Sequence, residues 1–372
     1  MDKKGASAMR LERDYLELLV DNYLNQELDS IIAESQSSQT TIRDLSAKIS
    51  EATAHMGKYN LSPSAFIVIR GVNSANLLAW ILAAIKKRVP FCIESNDIKQ
   101  ADSVSAQLSE YGNVLVVELG SNSGNLSYIT KKNQCKDFGN REWVYVVKTS
   151  GSTGVPKIIP ISRSNLSSML FAANEKLTLV SGETWLWEHR PSFDLALWEI
   201  FGCVLFKGKF IISPTPIAEW SVVEYRKIAE FSPQNITLTP SELKKIGQLD
   251  AATSQQFFED ARSILFCGER LGWDALRHLP SNVTPDEVQI YNAYGPSEAT
   301  IFCSVHLLTS QDMALSSVPI GDPMGDMCLR VNISSGELFL SGSQVFEGYL
   351  GDGIVKTDEY ATGDIVEKKR NR

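Results

Sequence analysis

The chain has 372 residues, 43% hydrophobic and 22% charged, an ordinary globular balance with enough length for two or more subdomains. Its net charge of −8 argues against a general role on nucleic acid or an anionic membrane surface. The longest apolar run, Leu77 to Ile85, is too short to span a bilayer and ends in Lys86-Lys87-Arg88.

Met1 to Arg13 is polar and charged, with no visible signal peptide, so a cytoplasmic location is expected. Residues 10–60 read as helical and amphipathic, with a Leu-rich segment from Leu11 to Leu24. Ala65 to Ile69 reads as a buried strand, and Asn73 to Arg88 as a helix capped by Asn73 or Ser74. Pro90 to Ile93 reads as a strand, Ile98 to Tyr111 as a helix, and Asn113 to Leu119 as another strand. Residues 120–141, polar and rich in Gly, Asn and Lys, read as an exposed connection. Further strands are expected at Trp143–Val147, Thr184–Trp187, Lys209–Ser213, Asn235–Leu238, Ser263–Cys267 and Val288–Tyr291, with a helix from Asp194 to Leu205. Strands alternating with helices predict βαβ units and parallel sheets. From about Val318 short strands and Gly-rich turns predict a small β-rich subdomain.

The six cysteines, at 92, 135, 203, 267, 303 and 328, form no C-x-x-C pair and read as reduced core thiols. His55, His189, His278 and His306 have no ligand spacing and read as surface or satisfied core residues. Glu188-His189-Arg190 is an unusual charged triplet, expected to be solvated or at a rim.

Chemistry concentrates after the Trp143–Val147 strand. Thr149-Ser150-Gly151-Ser152-Thr153-Gly154-Val155-Pro156-Lys157 supplies four hydroxyls, two glycines and a lysine, the composition of a loop that wraps phosphates. It is not a Walker loop, because Ile158 follows the lysine. Alone, it could equally be a Ser/Gly-rich surface loop. Four more segments follow in order: Phe193-Asp194 to Glu199, Asn292-Ala293-Tyr294-Gly295-Pro296-Ser297-Glu298, Gly336 to Gly342 leading to Gly348-Tyr349-Leu350, and Tyr360-Ala361-Thr362-Gly363-Asp364.

Together, from about Phe66 to Glu367, these five segments resemble the signature motifs of adenylate-forming enzymes. Within that superfamily the chain resembles the N-terminal core of a nonribosomal peptide synthetase-type amino-acid adenylation domain. The resemblance implies an α/β fold of two stacked βα subdomains with mostly parallel sheets, plus a small barrel-like β subdomain. Its expected units are residues 1–180 with the phosphate loop, 181–317 with the amino-acid pocket and adenine site, and 318–372. The family's C-terminal subdomain, which carries a catalytic lysine, has no match before Arg372, and slow turnover with retained ligand binding is expected for this chain.

The resemblance also implies ATP and Mg²⁺ as cofactors. Thr149, Ser150, Gly151, Ser152, Thr153, Gly154 and Lys157 would embrace the β- and γ-phosphates, with Thr153, Lys157 and Glu298 as catalytic residues. Gly268 and Glu269 would lie beside the adenine, with Asn292 pairing with its edge, Ala293 and Gly295 shaping the site and Tyr294 stacking on the purine. Ser297 would reach the α-phosphate, Glu298 would hold Mg²⁺ and Asp364 would accept the ribose hydroxyls. Asp194 would pair with a substrate ammonium; a helix N-cap is the structural alternative. The pocket would be Asp194, Leu195, Trp198, Ser241, Leu265, Cys267, Ala293, Ile301 and Phe302. With Asp194 its only charge, this set favours a neutral, small to medium, mostly apolar amino acid. The aminoacyl group would pass to a phosphopantetheine-bearing carrier protein, with neither nucleic acid nor membrane as partner. Three positions depart from the family pattern: Ile158 stands for a usual glycine, Arg163 for a common histidine, and Asp322 for a basic residue. They keep open a degenerate non-catalytic relative, beside an acyl- or aryl-CoA ligase.

Overall fold

The computed structural model describes residues 15–59, 61, 65–94, 104–120, 125–129, 142–149, 157–351 and 359–367. Two large sheets and one small sheet carry the molecule. The first has six strands, in spatial order Asn125–Ile129, Val114–Glu118, Phe66–Arg70, Phe91–Glu94, Trp143–Thr149 and Lys157–Ser162. Its inner pairings are parallel and both edges are antiparallel. Phe66, Ile67, Val68 and Ile69 are all buried, the run of apolar residues expected of a strand covered on both faces.

The second sheet runs Asp322–Pro323, Ser304–Leu307, Gln289–Tyr294, Ser263–Phe266, Asn235–Leu238, Thr184–Trp187, Lys209–Ile212, Ile31–Ser35 and Ser38–Thr41. Pairing is parallel from Gln289–Tyr294 to Ile31–Ser35 and antiparallel at the two ends. A third, antiparallel sheet joins Cys328–Val331, Glu337–Ser341 and Tyr360–Ile365. The α/β class with mostly parallel sheets and a small β unit therefore holds.

Helix Ala75–Lys87 is capped by Ser74, whose hydroxyl accepts the Leu77 N–H, and ends at Arg88 in the left-handed region (φ 55°). It packs on helix Ile42–Lys58, which opens with a Thr41–Asp44 capping box. One apolar cluster runs from these helices through both large sheets to Trp185, Trp198, Leu265 and Phe302.

Three expectations change, and one strand appears that had not been anticipated. Residues 10–60 are not helical throughout: Ile31–Ser35 and Ser38–Thr41 form a hairpin between helical segments, held by pairing with the distant Lys209–Ile212 strand. Within 120–141, Asn125–Ile129 is an edge strand on Val114–Glu118. Lys157–Ser162 is a strand despite Pro160, which an edge strand tolerates. The triplet Glu188-His189-Arg190 is not a solvated rim: Glu188 and His189 are buried, and only Arg190 is exposed, paired with Glu219. Cys92, Cys203, Cys267 and Cys303 are buried free thiols, as expected; Cys328 is exposed.

Candidate active site

The two strands flanking the phosphate loop pair antiparallel, with Thr149 opposite Lys157, so the ends of the loop meet across one register position. Ser150, Gly151, Ser152, Thr153 and Gly154 lie outside the described residues. Lys157 Nζ sits 4.3 Å above the Tyr349 ring. Ile158 packs in an apolar cluster with Val68, Cys92 and Leu350, and its carbonyl accepts the Leu350 N–H at 2.9 Å. The Ile158 side chain and carbonyl thus hold the segment carrying Tyr349 against strand Lys157–Ser162.

The Asn292–Glu298 motif leaves strand Gln289–Tyr294 through a turn that only glycine fits. A Cβ on Gly295 would meet Phe302 Cα at 2.4 Å. A short 3₁₀ turn, Ser297–Ala299, follows, and then Thr300 and Ile301 both adopt positive φ (61° and 71°). For a β-branched residue this is a strained backbone, of the kind that accumulates at functional sites. Thr300 Oγ1 donates to the Gln344 carbonyl at 2.6 Å, and the Phe346 N–H donates to the Glu298 carbonyl at 2.7 Å. The fold-back thereby ties the motif to the segment that carries Tyr349.

Several expected site residues meet in pairs. Ser297 Oγ donates to Asp194 Oδ2 at 2.5 Å. Tyr349, given no role from sequence, donates its hydroxyl to Glu298 Oε1 at 2.6 Å. Burial, and then that hydrogen bond, holds the phenol far above its ordinary range, so it stays a donor. Tyr294 donates to Asp364 Oδ2 at 2.6 Å, joining the residues expected at purine and ribose. Asn292 is buried, and its amide donates to the Pro319 carbonyl at 2.7 Å.

Asp194 is the first residue of helix Asp194–Leu205, whose N-cap is Phe193. The capping alternative is therefore displaced by one residue. Burial pushes the Asp194 carboxyl above its ordinary range, against the pull of Ser297 and of the N–H groups of Leu195 and Asp194. Leu195, Trp198, Leu265, Cys267, Ala293, Ile301 and Phe302 are buried in one cluster. Trp198 and Phe302 meet edge to face with ring centroids 5.0 Å apart. Burial, and next the Asp194 charge, lifts the Cys267 thiol to about 12. Ser241 stands apart: it is exposed, and its hydroxyl donates to Glu269 Oε2 at 2.6 Å. Gly268, at φ +85°, leads into that glutamate with Leu195 3.2 Å from the place of a Cβ.

Tyr145 is a second residue the sequence did not flag. Among the described residues its buried hydroxyl has no hydrogen-bond partner, and Asp194 is among the charges it senses. The only signal for it was its place in the strand leading to the phosphate loop. Arg163, one of the departures, is structural: Nη2 donates to Glu17 at 2.6 Å and the side chain is buried.

Residues 75–350 match the family model described as AMP-binding enzyme. The chain is similar to malpinin synthetase of Mortierella alpina, at 25% identity over 97% of this chain and 5% of that protein. It is 32% identical to the D-alanine–D-alanyl carrier protein ligase of Listeria welshimeri, over 60% of this chain and 48% of the ligase. It thus spans less than half the length of these relatives. In fold it resembles the Klebsiella oxytoca NpsA N-terminal subdomain in complex with anthranilyl-AMSN, with a TM-score of 0.74 at 18% identity, over 95% of this chain and 97% of that one.

Proposed function

The chain belongs to the AMP-binding enzyme family, and on that premise we propose that it joins ATP to a neutral, small to medium amino acid, giving aminoacyl-AMP and pyrophosphate. The aminoacyl group then goes to the phosphopantetheine thiol of a carrier protein, a partner class in keeping with the name of the Listeria ligase.

One observation carries this reading: Ser297 and Asp194 in hydrogen-bond contact at 2.5 Å, beside an apolar wall. A ligand whose ammonium meets Asp194 has its carboxylate close to the Ser297 side, where the α-phosphate is expected. Bringing the reacting oxygen and phosphorus together is most of what this chemistry asks of a protein. The half-buried Asp194 side chain makes no ion pair among the described residues, and a ligand ammonium would supply the missing cation. Ser297 holds the phosphate side, Lys157 adds charge at the loop, and Tyr294 with Asp364 forms a base-and-ribose edge.

Glu298 fits a hard divalent cation, being a largely buried carboxylate with one oxygen oriented by Tyr349, whose ring lies under Lys157. Bound Mg²⁺ would neutralise charge on the phosphates. The nearly closed Trp198–Phe302 contact favours the small end of the substrate range.

Thermal denaturation with Mg²⁺-ATP and individual amino acids tests the reading, since ligands of the folded state raise Tm. A rise with a neutral amino acid, lost in Asp194→Ala, is expected. A rise with aryl or fatty acids that survives Asp194→Ala would move the protein to the CoA-ligase chemistry. No response to ATP would identify a non-catalytic relative.

A further inference from the structure

Away from the nucleotide, three carboxylates surround one imidazole in the interior of the second α/β unit. Glu188 and Glu199 are fully buried, His189 is 6% exposed, and Glu242 has an 11% exposed side chain. His189 Nδ1 hydrogen-bonds Glu199 Oε1 at 2.7 Å, and Glu199 Oε2 accepts the N–H groups of Glu188 and His189 at 3.2 and 3.1 Å. Glu199 is thereby satisfied, and it fixes the ring with a proton on Nδ1. Among the described residues Nε2 has no hydrogen-bond partner, and it lies 3.4 Å from Glu242 Oε2, an oxygen that also accepts the Thr239 N–H and hydroxyl at 2.7 and 2.9 Å.

Glu188 is split in the same way. Oε2 accepts the Ile217 N–H at 2.5 Å, while the buried Oε1 has no hydrogen-bond partner and sits 3.2 Å from His189 Nδ1. Ligand atoms of Glu188, His189 and Glu242 all lie within 4.8 Å of one another. Among the described residues the ion pairs of these carboxylates are all with His189. Nearby cations are engaged elsewhere: Lys245 donates to the carbonyls of Ile217, Ala218 and Trp220, and Arg190 pairs with Glu219. Carboxylates packed around one imidazole away from water are costly unless a cation or shared protons complete them.

We propose that Glu188, His189 and Glu242 bind one divalent transition-metal cation of the zinc or manganese class, with Glu199 orienting the imidazole as the outer carboxylate. The pieces are those of a carboxylate–histidine–metal arrangement, in which the ligating ring gives its other N–H to a carboxylate. Mixed imidazole and carboxylate donors suit such ions. The 3.4 Å between Nε2 and Oε2 is close to the edge, roughly 3.3 Å, of a tetrahedron with metal–ligand bonds of about 2.0–2.1 Å. The ligands come from the end of the Thr184–Trp187 strand and the first turn of helix Pro240–Ile246, and Glu199 comes from helix Asp194–Leu205. A cation there would fix the two helices that carry Asp194, Trp198 and Ser241.

The test is metal analysis of the purified chain, stripped with chelator and then titrated with Zn²⁺ or Mn²⁺ without nucleotide. About one ion per chain should be retained, with Tm raised by about 5 °C or more over the stripped protein. Glu188→Gln keeps the acceptor for Ile217 and should lose both effects, whereas Glu298→Gln should keep them. X-ray absorption on the unmutated protein should give only nitrogen and oxygen neighbours at about 2.0–2.2 Å, without sulfur. Less than about 0.1 ion per chain and a Tm unmoved by either cation would overturn the proposal. Under that outcome the carboxylates share protons instead, and Glu188→Gln stabilises the chain. Retention that survives Glu188→Gln, or sulfur among the neighbours, would also overturn it.

Discussion

At the scale of single residues, the proposed amino-acid chemistry turns on Asp194. Burial holds its carboxyl above the ordinary range, so it is neutral at some pH values where a free aspartate is charged. A neutral carboxyl cannot pair with an ammonium. Amino-acid affinity should therefore increase as pH rises through the elevated Asp194 pKa and be lost as pH falls through it. Asp194→Asn should flatten that acid limb and raise KM for the amino acid by about 30-fold or more, since deleting one partner of a buried charge pair costs about 2 kcal/mol or more. Kinetics of pyrophosphate exchange against pH read both effects. Tyr349 has a narrower task. Tyr349→Phe keeps the ring under Lys157 but removes the donor to Glu298. The Mg²⁺ concentration for half-maximal exchange should rise about tenfold, as a hydrogen bond to a charged group contributes about 1.5 kcal/mol or more. An unchanged Mg²⁺ dependence would remove Tyr349 from the site's machinery.

At the scale of elements, the strained passage from Gly295 to Phe302 does the positioning. Gly295→Ala would drive a methyl into the Phe302 backbone, which cannot swing aside. A loss of about 2 kcal/mol or more is expected in denaturant unfolding, together with loss of ATP-induced stabilisation. Phe302→Val should open space against Trp198 and shift exchange by about tenfold towards a larger side chain. Legibility in the sequence follows the same lines. Helix Asp194–Leu205 and strand Asn235–Leu238 were readable to the residue, because dense apolar runs start and stop there. The Ser38–Thr41 strand was not: its polar residues carry no strand pattern, and only pairing with Ile31–Ser35, itself held on Lys209–Ile212, makes it one. Motif residues expected at a nucleotide could be singled out because the chemistry they offer is local. Tyr145, Tyr349 and the Glu188–His189–Glu199–Glu242 cluster were missed because their meaning lies in partners far along the chain.

At the scale of the whole molecule, the candidate site draws residues from all three sheets. The first contributes Lys157, the second Asp194 and the Asn292–Glu298 motif, and the third Asp364. Among the described residues, no helix is long and apolar enough to cross a membrane. The Ile158–Leu350 contact fastens the first sheet to the segment preceding the third. The measurement that tests the account most directly is ATP–pyrophosphate exchange over a panel of amino, aryl and fatty acids, with the natural chain and Asp194→Ala side by side. Exchange driven by a small neutral amino acid and abolished by the substitution is expected. Exchange driven by an aryl or fatty acid and unaffected by Asp194→Ala would contradict it.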